Sequence, residues 1–246
     1  MAVIWRKDAG GVHYEVRTAG KTTRLYTNGV LHTQHNPSRL LTGSVWDLLL
    51  LPALLLPRDK VRRVLVLGVG GGAVIHQLLR LFPAVQVTAV ELNPVHVSVA
   101  RRFFGLGDPR LHIVCENAVT WLALYDGEPF DLVIDDLFGD RDGQPCRAVD
   151  ANTDWFDLLA MPLSPGGVLA MNFATQREVR ASAWGHGERA VRRRFPGALS
   201  LATPGCENRV AVFLPRVVSA SELRNAVAAE PLLSGPLLRY GARLLR

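Results

Sequence analysis

Apolar and polar positions along the chain change period twice. Residues 12–34 alternate apolar and polar, with breaks at Gly20 and at Asn28-Gly29. Alternation of period two predicts short half-buried strands, and Asn-Gly is a tight-turn dipeptide. Residues 44–56, SVWDLLLLPALLL, carry no alternation and predict a buried helix kinked at Pro52. Pro57 to Lys60 read as a linker. Beyond it, continuous apolar runs alternate with amphipathic ones. VRRVLVLG (61–68), AVQVTAVE (84–91), RLHIVCE (110–116), FDLVIDD (130–136) and GGVLAMNFA (166–174) predict strands. Between them, 72–82, 94–104, 118–125 and 153–162 predict helices, the second with Pro94 in its first turn. A long helix over 176–195 follows, then ALSLAT and NRVAVFLP as an antiparallel pair at a sheet edge.

Strands apolar along their whole length, each followed by a helix, predict a parallel sheet covered on both faces. The expected architecture is α/β: a small N-terminal β region with its connecting helix (1–57), then one doubly wound, mostly parallel domain (58–246) ending in an antiparallel hairpin. The length, 246 residues, suffices for such a core, and 48% apolar with 20% charged residues is ordinary for a globular chain. The longest apolar stretch, 48–56, is far short of the roughly 20 residues a membrane span needs. The first residues lack the apolar segment of a secretory signal, so a cytoplasmic soluble protein is expected. Three distant cysteines predict neither a disulfide framework nor structural zinc. Cys115, on an expected buried strand, is expected to be unreactive. The net charge of +6 comes almost wholly from scattered arginines, which favours a solvated basic surface over a nucleic-acid partner.

Chemistry concentrates at the strand ends. After VLVL come Gly68-Val69-Gly70-Gly71-Gly72-Ala73 and a helix. Glycines allow close backbone approach to a ligand, and a helix N-terminus offers free N–H groups. The spacing reads equally as a dinucleotide fingerprint and as a nucleoside-binding loop. Glu91, ending the next strand, is placed to accept hydrogen bonds from ribose hydroxyls. Asn117 is both a candidate adenine contact and a candidate helix N-cap. Asp135 and Asp136 end the fourth strand, with Asp140 close behind. Successive strand residues face opposite ways, so only one of the pair is expected to reach the crevice while the strand continues. An acid there can hold an amine and take its proton.

Taken together, VLVLGVGGGAV, AVELNPVHVSVARRFFGL, LHIVCENAVTWL and FDLVIDDLFGD resemble the spermidine synthase-like branch of the S-adenosylmethionine-dependent transferases. RLYTNGVLHTQ is similar to the strand–turn segment preceding the core in that group. The resemblance implies a Rossmann-like seven-stranded sheet with a small N-terminal β domain. It implies that Gly68, Gly70 and Gly72 contact the cofactor, that Glu91 holds its ribose and that Asn117 lies by the adenine. Asp135 joins these as a candidate cofactor contact, and Asp136 matches the acid that positions and deprotonates an attacking amine. The cofactor expected is S-adenosylmethionine or its decarboxylated form. The expected partner is a small-molecule acceptor, an amine among the candidates, with no nucleic acid or membrane and a homodimer left open.

The chain also departs from that pattern. Gly71 stands where the group carries an acid in its loop, and Asn117 where it carries aspartate. Its L-D-G-x-x-Q reads Thr27-Asn28-Gly29-Val30-Leu31-His32. A tyrosine position holds Val45, two before Asp47, and a second acid after Asp136 is displaced, since Gly139 stands there. Loss of the loop acid favours methyl transfer over aminopropyl transfer to a diamine. Two other classes compete: NAD-dependent oxidoreduction, for which no Tyr-Lys pair or catalytic histidine is visible, and a silent cofactor-binding homologue. A nucleic-acid base methylase is disfavoured because Asp135-Asp136-Leu137-Phe138 replaces its signature. His32-x-x-His35 is a weak metal candidate, and no metal site is expected. Trp155 and Phe156 are candidates for an acceptor pocket or, more simply, for core. Residues 141–150 are either a lid or a connector.

Overall fold

A computed structural model describes residues 1–141 and 144–246, with side chains described except at 140–145. The chain opens with a four-stranded antiparallel meander: β1 (Ala2–Ala9), β2 (Val12–Ala19), β3 (Thr22–Thr27) and β4 (Val30–His35), hydrogen-bonded in that order. Asn28 and Gly29 both have positive φ, +49° and +80°, as a two-residue turn between right-twisted strands requires. β1 was not expected, because the strand buries almost nothing and so lacks an alternating pattern.

The predicted helix over 44–56 is shorter than expected. α1 (Val45–Leu50) stops before Pro52, and a tighter 3₁₀ turn carries on over Leu51–Leu55. Proline has no N–H for the α-helical ladder but is tolerated in the first turn of a new segment. Leu48, Leu49, Leu50 and Leu51 are fully buried in the main core.

The second unit alternates as expected: β5 (Arg63–Leu67), α2 (Ala73–Leu81), β6 (Gln86–Glu91), α3 (Pro94–Phe104), β7 (Leu111–Cys115), α4 (Ala118–Ala123) and β8 (Phe130–Asp135). A small hairpin, β9 (Phe138–Arg141) and β10 (Gln144–Arg147), precedes α5 (Thr153–Ala160) and β11 (Leu163–Phe173). Three short helices follow, α6 (Gln176–Ala181), α7 (Ala183–His186) and α8 (Arg189–Arg194), where one long helix was expected. Ser182 breaks it: its backbone is extended, and its hydroxyl caps α7 by accepting from the Gly185 N–H. β12 (Gly197–Ala202), β13 (Arg209–Leu214), α9 (Ala220–Ala228) and β14 (Gly241–Leu244) complete the chain.

The sheet has eight strands, in the order β14-β12-β13-β11-β8-β5-β6-β7, where seven were expected. β11, β8, β5, β6 and β7 are parallel, and β13, β12 and β14 join antiparallel. Its two apolar faces are packed separately: Val64 and Val66 against α1, α2 and α9, Leu65 and Leu67 against α4 and α5. Cys115 corrects the sequence expectation. It lies on the outermost strand β7 and is exposed, not buried. No helix among the described residues is long and apolar enough to cross a membrane.

Candidate functional site

Strand order reverses between β5 and β8. β6 and β7 extend the sheet on one side of β5, and the chain then returns to place β8 on the other. In such sheets the crevice beyond the carboxyl ends at the reversal is where ligands bind. Gly68 ends β5 there at φ +88°, and a Cβ on it would lie inside contact distance of the Asp136 carbonyl oxygen. Only a bare backbone fits between the two strand ends. The loop from Gly68 runs into the N-terminus of α2, where Gly72 donates to the Val69 carbonyl at 2.7 Å.

Glu91 ends β6 and is 8% exposed. Its Oε2 accepts from the Val69 and Gly70 N–H groups at 3.0 and 3.2 Å, and its Oε1 accepts from the Asn93 N–H at 2.9 Å. A carboxylate offers roughly four acceptor positions; the glycine loop and the start of α3 occupy three, and His96 Nδ1 lies 3.8 Å from Oε1. Burial pushes this carboxyl up, but the neighbouring His96 and the backbone donors outweigh it and bring Glu91 below its ordinary value. His96 was not singled out in the sequence. It is buried on α3, 2.9 Å from the Thr27 hydroxyl and in ring contact with His32.

Asp135 and Asp136 face opposite ways, as strand alternation demands. Asp136 is partly buried at the reversal point, and its Oδ1 accepts from Asn172 Nδ2 at 2.7 Å. Asn172 Oδ1 accepts in turn from Asn208 Nδ2 at 3.1 Å. Burial pushes the Asp136 carboxyl up to about 7; the Asn172 hydrogen bond opposes this and the charge on Asp135 adds to it. Asn172 and Asn208 escaped the sequence reading. The available signal was one amide inside the apolar run of β11, since a buried polar group must find a partner.

Asp135 is the clearest correction. It is fully buried and turned away from the crevice, with Arg147 Nη2 and Trp155 Nε1 donating to its Oδ2 at 2.6 and 2.8 Å. It is not available as a cofactor contact. Arg147 also donates to the Asn172 carbonyl at 2.5 Å and lies over the Phe173 ring, so the end of the β9–β10 hairpin is tied to β11. The middle of that segment, 142–143, and the Asp140 side chain lie outside the described residues.

Asn117 is an N-cap, accepting from Val119 N–H at 2.8 Å, and it is exposed beyond β7. Trp155 and Phe156 are core residues; Phe156 packs edge-on against Phe213. His32 and His35 are not brought together. His32 is the extra residue of a bulge in β4 and faces His96, whereas His35 stacks on His76. Gly71 has no room for a side chain, because Thr33 of β4 and Phe104 of α3 fill the space a Cβ would need.

Residues 48–183 match the family model described as the spermine/spermidine synthase domain. A polyamine aminopropyltransferase of Mycobacterium tuberculosis is 32% identical over 178 residues, covering 69% of this chain and 32% of that protein. The chain thus spans about a third of the length of that relative. A probable spermidine synthase from Corynebacterium glutamicum superposes with a TM-score of 0.76 at 15% identity, covering 99% of this chain and 91% of that one. Human methyltransferase-like protein 13, solved with SAH, superposes with a TM-score of 0.64 at 21% identity, covering 78% and 92%. Those two likenesses concern the fold, while the family match spans more than half of the residues. The chain belongs to the spermine/spermidine synthase domain family.

Proposed function

We propose that this chain is a transferase that moves an aminopropyl group from decarboxylated S-adenosylmethionine to a small amine acceptor. One observation carries the reading: the charged groups at the strand ends. Among the described side chains, Glu91 and Asp136 place carboxylates at the ends of β6 and β8, and the nearby guanidinium, Arg147, is tied to Asp135. A site of this composition suits a donor with an amine and no carboxylate, together with a cationic acceptor. The family membership and the relative named polyamine aminopropyltransferase support the same choice.

The bare backbone at Gly68, the α2 N-terminus and the Glu91 carboxylate fixed beside them fit a nucleoside-bearing donor. When bound, the donor supplies an electrophilic carbon on a sulfonium and a neutral thioether leaving group. In this assignment Gly68, Gly70 and Gly72 shape the loop against the donor, Glu91 takes a ribose hydroxyl, and Asn117 lies beside the adenine while capping α4. Asp136 holds the acceptor amine and takes its proton. A carboxyl near 7 is matched to that task, because it ionises at working pH and still retains basicity. Asn172 fixes the carboxylate's orientation from the side away from the acceptor.

Methyl transfer from S-adenosylmethionine is the second reading; the methyltransferase-like protein solved with SAH shares this fold. Turnover separates the two. Purified protein is incubated with a diamine and either donor, and the thioether product and the modified amine are quantified, with Glu91→Ala as the binding control. Aminopropylated product from the decarboxylated donor is expected. Consumption of S-adenosylmethionine alone, with a methylated product, would overturn the assignment.

A further inference from the structure

A second concavity lies away from the strand ends. It has a volume of about 310 Å³ and opens between the loop after β4, the middle of α2 and the segment joining α3 to β7. Arg80, on its wall, is eight residues beyond Gly72, about 12 Å along the α2 axis at 1.5 Å per residue. Neither Glu91, Asp136 nor the glycine loop lines the cavity.

Its walls are fixed. Asp47 is 2% exposed and accepts from the Thr42 and Gly43 N–H groups at 2.8 and 2.7 Å. Gln77 of α2 donates to the same carboxylate at 2.6 Å and to the Leu40 carbonyl at 3.2 Å. The loop carrying Arg39 is thereby fastened to the helix carrying Arg80. His76, one turn before Arg80 on α2, stacks on His35 of β4 with ring centroids 3.9 Å apart and 18° between planes. Burial lowers both imidazoles, His35 to about 4, so both are neutral at pH 7.

The remaining charges are Arg39, Arg80, Arg110 and Asp108. Arg110 is spent on the fold: it pairs with Asp108 at 2.7 Å and donates to the Leu79 and Pro83 carbonyls at 3.1 and 2.9 Å. Arg39 and Arg80 have no side-chain partner among the described residues and are exposed at the mouth. Two uncompensated guanidiniums on a rigid frame, beside a flat aromatic wall, match a phosphate group. Guanidinium binds phosphate oxygens through paired N–H donors, and the volume falls within the range of small-molecule sites.

We propose that this cavity binds a phosphate-bearing small molecule, with Arg39 and Arg80 as the ligands to the phosphate oxygens and the His35–His76 stack as the wall beside them. This stands independently of the transfer reaction assigned above. The test is calorimetric titration of the full chain with inorganic phosphate, pyrophosphate and adenosine monophosphate, at ionic strength held constant with chloride. Saturable binding of at least one is expected. Preference for the free ion or for the nucleotide identifies which source of phosphate the site takes. Arg39→Ser and Arg80→Ser, both at exposed positions, are each expected to weaken it about tenfold, the usual worth of one charge-assisted contact. Arg39→Lys, which keeps the charge but loses the paired donors, should fall between. Circular dichroism and the thermal midpoint report whether each variant is folded. Absence of saturable binding for all three probes, or equal affinity in the folded double variant, would overturn the proposal.

Discussion

Replacing Asp136 by Asn is expected to abolish transfer and, above neutral pH, to make the protein more stable. The carboxyl rises from an ordinary 3.8 to about 7 in the fold, chiefly through burial. At 1.36 kcal/mol per pH unit, keeping it ionised in the folded protein costs about 4 kcal/mol. The sign follows from proton counting. Between 3.8 and 7 the folded chain still holds a proton that the unfolded chain has released. Stability therefore falls as pH rises through that window and is flat on either side of it. Asparagine carries no charge at any pH and keeps an acceptor for Asn172 Nδ2, so the variant escapes the penalty. Because Asp136 is only partly buried, water relieves some of the cost, and a gain of about 1–3 kcal/mol at pH 8 is expected. At pH 5 the gain should shrink to less than half. Urea unfolding followed by tryptophan fluorescence at the two pH values reads this as a shift in midpoint at constant slope. A variant less stable than the parent at pH 8, or a gain equal at pH 5 and pH 8, would refute the reasoning.

In the same assays, Asn172→Leu removes the one hydrogen bond that holds the Asp136 carboxyl down, so the rising limb of a kcat/KM–pH profile should move to higher pH. An unshifted limb would dissociate Asn172 from the base. Arg147→Met strands the Asp135 carboxylate in the core and should cost about 3–5 kcal/mol in urea unfolding. Gly68→Ala forces a methyl group against the Asp136 backbone at an unfavourable φ, and a loss of about 2 kcal/mol or more, with loss of donor binding, is expected by unfolding and calorimetry. Gly71→Asp should destabilise by a comparable amount without tightening the binding of either donor, since its side chain would collide with Thr33 and Phe104.

The parallel core was legible because it is over-determined. VLVL and TAVE are buried on both faces, so their apolar runs are continuous, and each is bounded by a glycine turn or an N-capped helix. Two of the elements that escaped bury little, and a third, α9, escaped although Leu223 and Val227 are buried on it. β1 and β14 are edge strands, and β14, with the sequence GARL, buries no residue fully. The split of the 176–195 helix left a local signal in Ser182 and Gly187, but the amphipathic period runs through both, and only the extended backbone at Ser182 reveals the break. At the site, alternation correctly required Asp135 and Asp136 to part. It gave no means of telling which carboxyl meets Arg147, because the arginine arrives from a hairpin 12 residues later. The asparagine relay behind Asp136 joins β11 to the turn before β13, a pairing that depends on antiparallel register between distant segments.

Gly71 shows why a departure from a family pattern has to be placed in space before it is read as chemistry. In sequence, an acid missing from the glycine loop looks like the loss of a contact to the donor's amine, and that was the ground for favouring methyl transfer. In the fold, a Cβ at that position would collide with Thr33 of the N-terminal sheet and Phe104 of α3. Those residues belong to the contact that seats the N-terminal sheet on the loop, where Val16 and Leu25 bury against Val99 and Phe104. Glycine at 71 is what this close seating requires, whichever donor is used. The same seating brings Thr27 and His32 to His96, and His96 to Glu91. The N-terminal sheet thus closes over the glycine loop and, through Thr27 and His32, sets the His96 imidazole beside Glu91. If the proposed transfer holds, it is the carboxylates Glu91 and Asp136, more than the glycine at 71, that should bear on the choice of donor.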